Sequence, residues 1–93
     1  MIRSFSDRKT ERFADGDRVP AFDGFKHQAE KRLRVLEAAP SLRSLAQLPS
    51  NRLEALSGDR KGQYSIRINS QWRVCFIWLE GGHASRVEIV DYH

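Results

Sequence analysis

The apolar positions of this chain switch from a helical spacing in its first half to a strand-like alternation in its second. Met1 to Ser6 sets Ile2 and Phe5 against Arg3, Ser4 and Ser6, an imperfect alternation that predicts a short first strand. Ser6 or Asp7 can cap a short charged helix over Asp7 to Ala14, and Asp15-Gly16-Asp17 closes it with a turn. From Pro20 to Ala39 the residues Phe22, Phe25, Ala29, Leu33 and Leu36 recur at steps of three and four, one continuous helical stripe. Lys26, Glu30, Lys31, Arg34 and Glu37 fill the rest of that surface, with Glu30 and Arg34 a favourable i,i+4 pair. Pro20 suits the start and Pro40 forces the stop, while Gly24 weakens the first turn.

Beyond Pro40 the signals shorten. Ser41 can cap a second small helix, with Leu42, Leu45, Ala46 and Leu48 on its apolar side, before Pro49-Ser50-Asn51 breaks it. Leu53 and Leu56 bracket Glu54 and Ala55 in a short extended or turn-like piece. Gln63 to Asn69 alternates cleanly, Tyr64, Ile66 and Ile68 against Ser65 and Arg67, as a half-buried strand does. Asn69-Ser70-Gln71 is a hairpin connection. Trp72 to Leu79 is apolar on both faces, which predicts a central strand covered on both sides for most of its length. Gly81-Gly82 fits a tight turn, and a last strand runs from about Ala84 to Tyr92. The order predicts a single α+β domain over residues 1–93, with helices packed on one face of a small curled, mainly antiparallel sheet.

Composition narrows the class. With 40% apolar and 30% charged residues in 93, the chain has the make-up of one small folded domain. Sixteen Lys and Arg oppose twelve Asp and Glu, for a net charge of +4 and a sequence pI near 9.7. Most of the basic residues are arginine, whose planar fork binds phosphate bidentately. That favours a polyanion such as nucleic acid as partner, although a basic surface that only confers solubility accounts for charge alone equally well. The single cysteine, Cys75, excludes an internal disulfide and fits a reducing compartment. No apolar run nears the roughly 20 residues that span a bilayer, and MIRSFSDRKTERF has no signal-peptide core, so the expectation is a cytoplasmic protein without membrane contact.

Strong chemical signatures are absent: no glycine-rich phosphate loop, no CxxC and no HExxH. His27, His83 and His93 are too dispersed for a metal site, and no cofactor is expected. Arg73 is the one charge on the apolar strand and so demands a partner or a ligand. Arg67 and Arg73 flank one hairpin, and two such arginines need an anion or an acid between them; Asp91 can be that acid. Metal-free RNA cleavage needs a base for the 2′-hydroxyl, charge for the phosphorane, an acid for the leaving 5′-oxygen and a surface that aligns the strand. Arg73 and Arg67 can hold a phosphate, His93 and Asp91 can carry protons, and Tyr92 can stack on a base. Arg60 and Lys61, between glycines in GDRKG, form a basic loop that can meet phosphate or simply be solvated. A terminal DYH is otherwise a frayed tail.

MIRSF at the start, NRLEALSGDRKGQYSIRINSQWRVCF in the middle and VEIVDYH at the end together resemble the HigB-type toxins of the RelE superfamily. The likeness spans essentially the whole chain, and the block GDR-x-G-x-x-S-I-x-x-x-x-x-W-R combined with a terminal DYH carries it. The resemblance implies a RelE-like fold and a type II toxin neutralised by a HigA-type helix-turn-helix antitoxin. It further implies a metal-independent endoribonuclease that cuts translated mRNA in the ribosomal A site. Residue by residue, Arg73 matches the phosphate-contacting arginine. Asp91, Tyr92 and His93 match the terminal catalytic triplet, and Gly58, Asp59 and Arg60 match the GDR turn. Arg60, Lys61 and Arg67 are then the expected contacts to mRNA and ribosomal RNA, and the free toxin is expected to be a monomer. One departure stands out: relatives carry HPLKGDR where this chain has EALSGDR, so Glu54 replaces a histidine and Ser57 a lysine. Either Arg60, Lys61 or Arg67 restores the missing charge, or the activity is weaker, or the target differs. The alternatives are therefore a toxin of the same fold that blocks a protein such as gyrase, and a non-catalytic basic RNA- or antitoxin-binding module.

Overall fold

A computed structural model describes residues 1–91 of the chain. Three helices, α1 (Arg8–Ala14), α2 (Lys26–Ala38) and α3 (Leu42–Ala46), precede four strands, β1 (Glu54–Ala55), β2 (Tyr64–Arg67), β3 (Trp72–Leu79) and β4 (His83–Asp91). The strands form one antiparallel sheet in the order β1-β2-β3-β4. The expected α+β architecture is present, with one face of the sheet packed against helices.

That face is built from the alternating positions. Cross-strand pairs Tyr64–Phe76, Ile66–Val74 and Val74–Ile89 meet Ala29, Leu33 and Leu36 of α2 in one core. The long stripe divides, however. Pro20–Phe25 is a 3-10 turn, and α2 begins only at Lys26. Gly24 is a poor helix residue, and the tighter turn stacks i and i+3 on one side, which brings Phe22 and Phe25 together onto Trp72 at ring-centroid distances of 5.8 and 4.7 Å. Phe13 of α1 closes the cluster edge-on to Phe22 at 5.3 Å.

The strand expected over the first six residues does not form as a strand and is reduced to bridges. Residues 1–6 make two isolated parallel bridges, Ile2–Ala84 and Phe5–Val87, and cover the outer edge of β4 with four backbone hydrogen bonds of 2.7–3.0 Å. Where that cover ends, the Thr10 hydroxyl of α1 accepts from the backbone N–H of Ile89 at 3.0 Å, so a buried donor is satisfied by a helix side chain. Between the pairs Cys75–Glu88 and Ile77–Ser85 the register slips by one residue. Arg86, with φ of 53°, lies in that irregularity, and such a bulge bends the strand and so curls the sheet.

The β3–β4 connection imposes a backbone constraint. Gly82 has φ of +86°, and a Cβ there would lie 2.5 Å from the Pro40 carbonyl oxygen. Gly82→Ala is expected to cost about 2–4 kcal/mol through left-handed strain plus a backbone clash, lowering the melting temperature by about 10 °C or more. Gly81→Ala, whose Cβ would meet only the His83 ring at 3.6 Å, should cost less; thermal melts of the two variants check the order.

Candidate active site on the second face of the sheet

Side chains opposite one another in an antiparallel register share a face. The pairs Glu54–Ser65, Ser65–Cys75 and Cys75–Glu88 therefore form one row across all four strands, and Arg67–Arg73 and Arg73–Val90 a second row beside it. This face, turned away from the core, carries the polar chemistry.

Arg73 is its centre. The side chain is nearly buried, and its Nε donates to Ser65 Oγ at 2.7 Å while Nη2 donates to the Arg52 carbonyl at 2.6 Å. The Glu54 carboxylate lies 3.8 Å from Nη2 and is half exposed. A guanidinium held on two sides by fixed acceptors cannot swing, so its charge has a set direction.

The acceptor at Arg52 is a product of local folding. Asn51 is fully buried; its Nδ2 donates to the Leu45 carbonyl at 3.0 Å, and its Oδ1 accepts from Arg32 of α2. This anchor ends the Pro49–Asn51 turn and leaves Arg52 in the left-handed region at φ 43°, ψ 56°. That conformation aims the Arg52 carbonyl at Arg73.

Arg67 is half buried, and its Nε donates to the Asn69 carbonyl at 3.1 Å. The structure thus sets Arg67 directly across from Arg73 as expected. Asp91 pairs with Trp72 and by register shares that residue's core-side face rather than the row of Arg67 and Arg73 in which it was expected, and its Oδ2 accepts from Gln71 at 3.0 Å. Tyr92 and His93 lie outside the described residues. The GDR segment, Gly58–Arg60, is a 3-10 turn whose Arg60 reaches over the sheet to Gln63 at 3.1 Å and Glu88 at 3.3 Å. Lys61 is exposed beside it. The carboxylate of Glu54, read in the sequence only as a replaced histidine, arrives at Arg73 because β1 pairs with β2 in a register that no local pattern reports.

Cys75 sits beneath this layer, fully buried. Burial pushes its thiol up from the usual value, with Arg60 and Arg73 opposing and Glu88 reinforcing the shift. The expectation of a buried small hydrophobe holds. A thiol-specific reagent should modify native Cys75 at least about a thousandfold more slowly than the urea-unfolded chain; comparable rates would contradict the burial.

Comparison with known proteins decides the family. A family model described as the RelE-like toxin of type II toxin-antitoxin system HigB matches residues 3–93. The chain belongs to the HigB-like toxin family. Toxin HigB-1 of Vibrio cholerae serotype O1 is 34% identical, covering 87% of this chain and 87% of its own length. Three solved structures share the fold of this HigB-like toxin. A chain of the heterotetrameric YoeB-YefM toxin-antitoxin complex of Staphylococcus aureus superposes with a TM-score of 0.57 at 18% identity, covering 100% of this chain and 98% of its own. The YoeB dimer of the same organism gives 0.56 at 22%, covering 99% and 94%. A YoeB/ParE toxin from Agrobacterium tumefaciens gives 0.53 at 14%, covering 99% and 96%. The HigB-like toxin is thus the toxin of a type II toxin-antitoxin system, of the RelE superfamily, and an antitoxin is its partner by definition of the system. Among its described residues no helix is long and apolar enough to cross a membrane.

Proposed function

We propose that this toxin is a ribosome-dependent, metal-independent endoribonuclease that cleaves translated mRNA and is neutralised by a HigA-type helix-turn-helix antitoxin. The observation that carries the reading is the immobilised Arg73 guanidinium on the sheet face away from the helices, with a carboxylate beside it. A fixed cation stabilises the charge that develops on a phosphorane better than a mobile one, because nothing need reorganise during reaction. The Glu54 carboxylate oxygen is in position to accept a proton from a nucleophile bound at Arg73. Asp91 and the terminal Tyr92 and His93 complete the proposal: His93 or Asp91 gives a proton to the leaving 5′-oxygen, and Tyr92 orients or stacks the substrate. Arg60 and Lys61 contact ribosomal RNA at the rim, and Arg67 contacts the mRNA. The toxin acts in the cytoplasm, as a monomer when free.

The test is induction in a bacterial host lacking the antitoxin, with primer extension on a reporter mRNA and on a copy without its start codon. The proposal expects growth arrest, and cuts confined to the translated reporter. Arrest with intact reporter and altered DNA topology would overturn it in favour of a toxin that blocks gyrase. Absence of arrest would leave a non-catalytic binding module.

A further inference from the structure

We infer that the groove between the start of α2, the turn at residues 49–52 and the β2–β3 hairpin is the track along which the mRNA strand runs into Arg73. The inference rests on the ribonuclease reading above and adds to it the residues that hold the strand. Gln28, Ser50, Arg52, Arg67, Asn69 and Ser70 supply the polar lining, and among the described residues no carboxylate lines it.

Two guanidiniums thus share one groove with no carboxylate of the described residues in its lining. Arg52 is exposed, and its side chain makes no hydrogen bond or ion pair among the described residues. Among the described residues Arg67 spends only Nε, on the Asn69 carbonyl, which stiffens the stem and leaves the two terminal nitrogens for a ligand. Planar forks of this kind bind phosphate oxygens in pairs. Gln28 and Asn69 add amide groups, and Ser50 and Ser70 hydroxyls, able to meet 2′-hydroxyls or base edges.

Continuity with the candidate site decides in favour of a nucleic-acid strand over an acidic protein segment. Arg52 serves both places: its backbone carbonyl fixes Arg73, while its side chain lines the groove. Arg67 likewise lies directly across from Arg73. A chain of regularly spaced phosphates with one at Arg73 would present its neighbours to Arg52 and Arg67.

The substitution Arg52→Gly separates the two duties of this residue. Glycine takes the left-handed backbone without strain, so the carbonyl that holds Arg73 stays while the guanidinium goes. Binding of a short labelled single-stranded RNA is measured by anisotropy across a salt series, and cleavage is measured on programmed ribosomes. For Arg52→Gly and for Arg67→Gln, affinity should fall about tenfold. The slope of log affinity against log salt should shrink by about 0.7 for each phosphate that the variant no longer neutralises. The saturating cleavage rate of Arg52→Gly should stay near wild type while half-saturation moves to higher toxin concentration, and its melting temperature should not fall. Arg43→Gln, on the exposed side of α3, should change none of these. Wild-type RNA affinity and salt slope in both groove variants would overturn the inference. So would a loss confined to ribosomes, which would assign the groove to ribosomal RNA, or a loss of antitoxin binding with RNA binding intact. If the wild-type toxin neither binds nor cuts RNA, the ribonuclease reading itself falls, an outcome distinct from the other three.

Discussion

Replacing Arg73 by glutamine is expected to lower the rate of mRNA cleavage by about 10²–10³-fold, the usual loss when one preorganised donor to a developing oxyanion is removed. The chain itself should survive. Glutamine leaves Ser65 Oγ and the Arg52 carbonyl short of a donor, at a cost of about 1–3 kcal/mol for each group left unsatisfied, against a stability of about 5–15 kcal/mol for a domain of this kind. Melting should therefore occur at a lower temperature but remain cooperative. Arg73→Lys is the sharper variant. It keeps the charge, yet an ammonium on a flexible stem cannot donate from Nε to Ser65 and from Nη2 to Arg52 at once. Its rate should lie near that of the glutamine variant. A lysine variant with wild-type activity would show that charge alone suffices and that the fixed fork has no catalytic role.

Glu54→Gln is expected to reduce single-turnover cleavage by about 10²-fold or more, within the range for loss of a general base, with almost no change in fold. Glutamine matches the carboxylate in shape, and Glu54 is half exposed at the sheet edge, where its ion pair with Arg73 contributes little to stability. Removing a negative charge beside the proposed phosphate site should leave RNA affinity unchanged or slightly higher. The signature is thus a fall in rate without a rise in half-saturation, a split that a purely structural role would not give. A full wild-type rate would exclude Glu54 as proton acceptor and leave that task to Asp91 or His93.

Much of this architecture is written in local patterns. The stripe from Phe22 to Leu36, the alternation from Tyr64 to Ile68 and the doubly apolar run of Trp72 to Leu79 each identify their element, because helix and strand periods differ so widely. Arg73 stands out for the same reason, as a charge where the pattern demands an apolar residue. What depends on contacts distant in sequence is less legible. The 3-10 turn at Pro20–Phe25 forms because Phe22 and Phe25 converge on Trp72, some fifty residues away. The parallel bridges of Ile2 and Phe5 to β4 have no local signature, since an alternating segment does not specify its partner or its direction. The site divides similarly. Its central arginine is a sequence feature, whereas the Glu54 carboxylate reaches it through the β1–β2 register. The Arg52 carbonyl reaches it through a left-handed turn secured by Asn51; nothing about an arginine in sequence announces a positive φ.

The structure also separates the arginines that composition groups together. Arg60 is engaged with Gln63 and Glu88, and Arg32 with Asn51. Arg52 and Arg67 keep donor capacity on one groove. A net charge of +4 is therefore a poor guide to where phosphate would bind, because several of the charges are already committed within the fold.

The most direct test of the central claim is end-group analysis of the upstream fragment when the purified toxin cuts a labelled mRNA on programmed ribosomes. Attack by the 2′-hydroxyl at a phosphate held by Arg73 predicts a 2′,3′-cyclic phosphate, or the 3′-phosphate formed from it, and almost none of either with Arg73→Gln. A 3′-hydroxyl end, or equal cleavage by the Arg73→Gln variant, would contradict the account.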